Sequence, residues 1–328
     1  MKIRDFSLKA LRKIYRKVFH PVFELPTCTM DRQEANDLIY DKLTSATPCM
    51  ISRLGSGEIG IVMNYLMVHK QLPILQKCYE YVEGNIGLPW WDALWFKSMR
   101  NNAGIFPESV DTLERFSEQY LHDIPEIDLL GSFHFAERYI PLRSDVVNVH
   151  LECLYPFWVK CPWTMALKGK RVLVAHPFPE TIKQQYAQRK MLFDNPDILP
   201  DFELLTLKAV QSNAGNEVPF KDWFEALAWM ENEISKMDFD ICILGCGAYG
   251  LSLAAYIKRM GKKAIHMGGG SQLLFGIKGK RWDNDAYHWD NLPQLNTNYS
   301  SLYNEYWTRP VQSETPQAAN NVEGACYW

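Results

Sequence analysis

The chain has 328 residues, 47% hydrophobic and 22% charged, which fits a globular protein with one large α/β domain or two smaller ones. Its net charge of −3 argues against a general nucleic-acid binder. No apolar run reaches the roughly 18 residues of a transmembrane helix, and charges interrupt the N-terminal apolar stretches, so neither a membrane span nor a signal peptide is expected.

The chain opens with a predicted helix ending near His20-Pro21. Residues 1–20 hold Lys2, Arg4, Lys9, Arg12, Lys13, Arg16 and Lys17 against Asp5 alone, a net +6 that leaves −9 for the remainder. At helical spacing Lys2, Lys9, Arg12, Lys13, Arg16 and Lys17 share one side, and Ile3, Ala10, Leu11, Ile14, Tyr15 and Val18 the other. Such a helix either lies on an anionic membrane surface or docks on its own domain with the basic side in water. Residues 1–29 are read as this arm and a Pro-containing linker.

A helix is predicted over Asp31–Leu43, capped by Thr29 or Asp31. Pro48–Arg53 reads as a short strand entering the turn Leu54-Gly-Ser-Gly-Glu-Ile-Gly60, with an apolar helix over Ile61–Val68. Residues 75–122 look helical, broken at Gly87-Leu-Pro-Trp-Trp91. Trp91, Leu94, Trp95 and Met99 recur at helical spacing and are expected in the core. Ile127–Leu130 and Val146–Val149 are strand candidates.

The second half alternates. Strands are predicted at Arg171–His176, Phe202–Leu207, Asp240–Leu244 and Lys263–Met267, and helices at Glu180–Phe193, Phe220–Lys236 and Leu251–Met260. That spacing predicts a Rossmann-like α/β fold, a mostly parallel sheet with helices on both faces. Residues 308–328, rich in Pro, Gln, Asn and Ala, read as an irregular tail.

The strongest motif is the strand Phe239–Leu244, the turn Gly245-x-Gly247-x-x-Gly250, a helix, and a second strand ending in Gly268-Gly269-Gly270. Glycines admit a phosphate to the backbone, and a helix N-terminus offers it free N–H groups. The motif points to a nucleotide or diphosphate. NAD(P) is the obvious ligand, but the following strand ends His266-Met267-Gly268, without the acid that holds a ribose.

Ligands of open parallel sheets bind beyond the C-terminal strand ends. Those ends carry His176, Gln211, the Gly245–Gly250 turn, and His266 to Gln272, with the cations Lys278 and Arg281 just after. The two histidines serve equally well as loop ties. Glu58 follows the first glycine turn, where a carboxylate can hold Mg²⁺ or Mn²⁺, act as a base, or simply complement the helix dipole. Arg53 is placed to bind phosphate or to pair with Glu58.

The eight cysteines include no C-x-x-C pair, which predicts reduced thiols and a cytoplasmic setting.

Several stretches together resemble bacterial glycosyltransferases of the GT-D fold. They are Arg53-Leu-Gly-Ser-Gly-Glu58, Gly169–Phe178, Gln211-Ser212, Gly245–Gly250, His266–Trp282 and Glu323-Gly-Ala-Cys-Tyr-Trp328, so the resemblance spans residues 45–328. It implies a catalytic domain over 30–307. It also implies sugar transfer from a nucleotide sugar to a glycan or glycoprotein acceptor in surface-polysaccharide or glycoprotein assembly. It gives donor-binding roles to His176, Gln211, Gly245, Gly247, Gly250, His266, Gly268, Gly269, Gly270, Gln272, Lys278 and Arg281, and catalytic roles to Glu58 and Arg53. The better-known members carry a metal-binding Asp-x-Glu in the first turn. Here the triplet is Ser56-Gly57-Glu58, so Mn²⁺ or Mg²⁺ would rest on Glu58 with one charged ligand lost. An NAD(P)-dependent oxidoreductase and a non-catalytic module of a polysaccharide-assembly complex are the alternatives.

Overall fold

The structure, a computed structural model, describes residues 3–22, 24, 26–84, 87–283, 295 and 297–328. Lys2, assigned above to the basic side of the first helix, lies outside the described residues. In chain order the elements are α1 (Ile3–Phe19), α2 (Arg32–Thr44), β1 (Cys49–Arg53), α3 (Ser56–His69), α4 (Ile74–Glu83), α5 (Ala93–Ser98) and α6 (Val110–Asp123). There follow β2 (Leu129–Ser132), β3 (Val147–His150), β4 (Arg171–His176), α7 (Pro179–Ala187), β5 (Glu203–Lys208), α8 (Trp223–Ser235), β6 (Ile241–Leu244), α9 (Tyr249–Arg259) and β7 (Lys263–His266). One turn of π-helix, Met99–Ala103, extends α5.

The seven strands form one sheet in the order β3-β2-β1-β7-β6-β4-β5, and every pairing is parallel. The inner strands β1, β4 and β6 are buried on both faces, as a sheet covered by helices on both sides requires, while the edge strand β5 is partly exposed. Alternate residues feed two cores. Met50, Leu173, Ala175, Cys242, Leu244 and Ala264 pack with α3, α6, α8 and α9. Ile51, Val172, Val174, Ile241, Ile243 and Ile265 pack with α2 and α7. The chain leaves β4 outward to β5 and leaves β6 the opposite way to β7, so the crossovers diverge at the β4–β6 pair. A crevice opens at such a divergence.

Helix boundaries follow their caps. Asp31 accepts the Glu34 N–H at 2.8 Å to start α2, and Asp222 accepts the Glu225 N–H at 2.7 Å to start α8. The first glycine turn departs from expectation: it is not a loop ahead of the helix, because α3 already begins at Ser56 and contains Gly57 and Gly60. Gly60 is small for a packing reason, since a Cβ there would lie 2.4 Å from the Trp95 ring. Leu94, expected in the core beside Trp95, is 61% exposed. Along the short α5, Ala93, Leu94 and Lys97 are exposed while Trp95 and Phe96 are half-buried, so Leu94 falls on the outward side.

Residues 308–328, expected to be irregular, hold only short 3₁₀ turns, yet they are firmly docked. The fully paired Glu314 carboxylate accepts the Glu180 N–H at 2.7 Å and the Thr181 N–H at 3.2 Å, capping the first turn of α7. The Arg309 guanidinium donates to Asp283 at 2.6 Å, and the Trp328 indole to the Glu314 carbonyl at 3.2 Å.

α1 docks on its own domain, but not by the apolar side that a docked amphipathic helix would turn inward. It packs beside α4 through polar groups. The buried Asp5 accepts the Trp90 indole N–H at 2.6 Å, Lys9 pairs with Asp92 at 2.7 Å, and Arg12 donates to the Gly84 carbonyl at 2.9 Å while covering the Tyr81 ring.

Candidate functional site

The C-terminal ends of five strands meet in one cavity. Arg53 ends β1, His176 ends β4, Gln211 and Asn213 follow β5, Gly245 and Gly247 follow β6, and His266 ends β7; all line it. The 3₁₀ segment after β7 adds Gly268, Gly269 and Gln272, and the tail closes the wall with Glu323, Tyr327 and Trp328. Glu58 and Gly247 therefore share one cleft despite their separation in the chain, because parallel strands end on the same side.

Glu58 sits in the first turn of α3, four residues before Val62 and three after the cap Gly55. Its carboxylate folds back over Gly55, where a Cβ would come within 1.8 Å of Oε2, so only glycine fits beneath it. Protein surrounds the group, and its remaining surface opens to the cavity. Burial pushes its carboxyl above the usual carboxylate range, and Glu323 pushes the same way; its own backbone N–H and Arg53 oppose this. Tyr120, whose hydroxyl accepts the Gly55 N–H at 3.4 Å, has its own ionisation pushed up by burial and by Glu58.

The histidines are neutral. The His176 Nδ1 accepts the Phe178 N–H at 3.0 Å, which leaves the proton on Nε2, and burial lowers its pKa to about 3. His266 shares a 3.2 Å hydrogen bond between Nδ1 and the Ser52 hydroxyl; burial, then Arg53, lower its pKa to about 3. Both thus tie loops, as one of the two readings expected, while still walling the cavity.

Two buried polar atoms at the cavity residues, Arg53 Nε and Asn213 Oδ1, have no hydrogen-bond partner among the described residues; His266 Nε2 has none there either, but it faces Gly250. Buried polar groups are seldom left unpaired, so Arg53 Nε and Asn213 Oδ1 are available to polar ligand atoms or water. Arg281 also lines the cavity, held by Tyr327 at 3.2 Å and by an ion pair with Glu323.

The glycines divide by role. Gly247 has φ +56° and nothing within 4 Å of a would-be Cβ, so it alone of its motif exposes backbone to open cavity. Gly245 instead gives room to Ser271 Oγ and His176, which a Cβ would meet at 2.1 and 2.4 Å. Gly250 does not line the cavity; a Cβ there would meet His266 Nε2 at 2.3 Å, so its smallness serves the histidine. Gly270 likewise faces Tyr155 and lines a smaller adjoining cavity. Gly268 and Gly269 do line the main one, crowded by Arg53 and Tyr327 respectively.

Lys278 is not at the site: its ammonium lies 5.2 Å from the Tyr303 ring centroid, outside the cavity wall. The Gln272 amide donates to the carbonyls of Lys278 at 3.1 Å and Tyr327 at 3.2 Å, so it braces the wall and the tail. Tyr120 and Asn102 are cavity residues that the sequence reading missed, since a polar residue inside a helical stretch carries no signal of what it will face.

The cavity offers few charged protein ligands for a divalent cation. Among the described residues no three His, Cys, Asp or Glu side chains gather to hold one. In the first glycine turn Glu58 is the one carboxyl, it shares the cavity with Arg53, and Ser56 supplies no charge. The positive charge at the cavity comes from Arg53, Arg281 and the N-termini of α3 and α9.

All eight cysteines are free thiols; Cys161 is exposed and Cys49, Cys153, Cys242, Cys246 and Cys326 are buried. Among the described residues no helix is long and apolar enough to cross a membrane. Comparison with family models, with curated proteins and with solved structures returns no match.

Proposed function

We propose that the protein is a glycosyltransferase that takes a sugar from a nucleotide-sugar donor, in line with its resemblance to GT-D enzymes and with a place in surface-polysaccharide or glycoprotein assembly. One observation carries the reading. Glu58 at the start of α3 and the open Gly247 turn before α9 face one cavity that also holds Arg53 and Arg281. This supplies an anion-binding turn, two guanidinium groups and one carboxyl with a raised pKa within a single cleft.

In this reading the donor diphosphate lies on the Gly247 turn, with Arg53 and Arg281 offsetting its charge. The acceptor hydroxyl oxygen attacks the anomeric carbon. The bond from that carbon to the diphosphate oxygen breaks, and the leaving nucleoside diphosphate keeps the electron pair. Glu58, as carboxylate, takes the hydroxyl proton; a raised pKa makes it a stronger base for that step. No metal is assigned a step.

A thermal-shift screen with UDP-, GDP- and CMP-sugars beside NAD(P)H tests this, because a ligand of the folded state alone raises Tm. A nucleotide sugar should raise Tm, and product should form once an acceptor glycan is supplied. Stabilisation by NAD(P)H with no response to any nucleotide sugar would overturn the assignment in favour of hydride transfer. Donor binding without hydrolysis or transfer would favour a non-catalytic module.

A further inference from the structure

The orientation of α1 leaves an apolar face with none of the described residues over it. Leu11, Ile14 and Val18, at one-turn and two-turn spacing, are each more than half exposed. The docked side of the helix is the polar one, through Asp5, Lys9 and Arg12. An amphipathic helix that only covered its own domain would do the reverse. The contacts also fix the direction of α1. Arg12 meets Tyr81 and Gly84, whereas Asp5 and Lys9, nearer its start, meet Trp90 and Asp92. The two helices are therefore antiparallel, and the end of α1 lies toward the start of α4, where Ile74 and Leu75 are 55% and 81% exposed.

Charge selects the occupant. Lys13 and Lys17, one turn apart, are exposed on the flank of the apolar face. Residues 1–20 carry +6 while the rest carries −9, so the body would be repelled by an anionic surface in any pose that does not present α1. The geometry points to an anionic lipid bilayer as the partner: α1 lies in the interface plane, with Leu11, Ile14 and Val18 in the acyl boundary and Lys13 and Lys17 at the headgroups. It lies on the membrane and does not span it, which accords with the absence of a spanning helix among the described residues. This inference does not depend on glycosyl transfer.

The test is sedimentation of the full chain with vesicles of phosphatidylcholine alone or mixed with phosphatidylglycerol, at low and high salt. The chain should bind the mixed vesicles and release at high salt. Lys13→Gln with Lys17→Gln should weaken low-salt binding about thirtyfold, at about fivefold per lysine. Ile14→Asp with Val18→Asp should abolish binding while leaving Tm unchanged, because both side chains face water. Equal binding by the aspartate variant, or no binding by the unaltered chain, would overturn the inference. So would concentration-dependent dimerisation that the aspartate variant removes, which would assign the face to a second copy. If the aspartate variant fails to fold, the glutamine pair decides alone: undiminished low-salt binding refutes the proposal.

Discussion

Gly245→Ala should destabilise the protein without a ligand being involved. The new Cβ would lie 2.1 Å from Ser271 Oγ and 2.4 Å from His176 Cδ2. Neither neighbour is free to give way. The Ser271 hydroxyl donates to the Gly268 carbonyl at 2.7 Å, and His176 Nδ1 accepts the Phe178 N–H at 3.0 Å. Both side chains are essentially fully buried. Overpacking a rigid site costs about 1–3 kcal/mol, and breaking one of the two hydrogen bonds adds about 1 kcal/mol, so a loss of about 2–4 kcal/mol is expected. For 328 residues that is a fall in Tm of about 3–6 °C. Gly247→Ala is the paired control: no atom lies within 4 Å of its Cβ, and only the cost of φ +56° remains, about 1 kcal/mol. Donor affinity should show the opposite order, with Gly247→Ala the more damaging because its methyl enters the open cavity. Chemical denaturation and calorimetric titration of both variants read the two effects separately. A Gly245→Ala protein as stable as the parent would refute the packing argument.

Two further outcomes are expected. His176 and His266 stay neutral down to about pH 3 in the fold but titrate near 6.5 when unfolded. Their contribution is therefore full above about pH 6.5 and is lost as pH falls, by about 2 kcal/mol each at pH 5. Glu58, pushed upward, opposes this by taking a proton in the fold before it does in the unfolded chain; equal denaturation midpoints at pH 7 and pH 5 would contradict the histidine assignment. Glu58→Gln keeps size and removes an ionised form that burial disfavours, so Tm at neutral pH should hold or rise while transfer falls by orders of magnitude; full activity in that variant would remove the residue from the mechanism.

The strands and their order of appearance were readable because strand–helix alternation is a local, periodic signal, and Glu58 and Gly247 were readable because a parallel sheet sends both turns to one edge. What was not readable depends on partners far away in sequence. Gly250 resembles a phosphate-binding glycine until His266 is seen beside it, and Gly60 reads as part of a loop until Trp95 is seen against it. Lys278 follows the motif closely in sequence but turns to Tyr303. α1 shows the same limit. Its periodicity is plain, but only Trp90, Asp92 and Gly84 decide which side faces the domain. The tail has no periodicity at all, and its order comes from single contacts such as Glu314 with the start of α7.

The pairing of β1 with β7 bears on how the site comes into being. Cys49 lies opposite Lys263 and Ile51 opposite Ile265, so the middle of the sheet joins segments more than 200 residues apart. Loop-closure entropy must be met before that junction gives anything back, which makes it a late and slow event in folding. Until it forms, Arg53 and Glu58 on one side have no fixed relation to the Gly247 turn on the other. During synthesis the first half therefore emerges with an unsatisfied edge on β1 and must avoid pairing with other chains until β7 arrives. Neither half carries a latent site, and fragments cut between β3 and β4 should bind a donor only when mixed and reassembled.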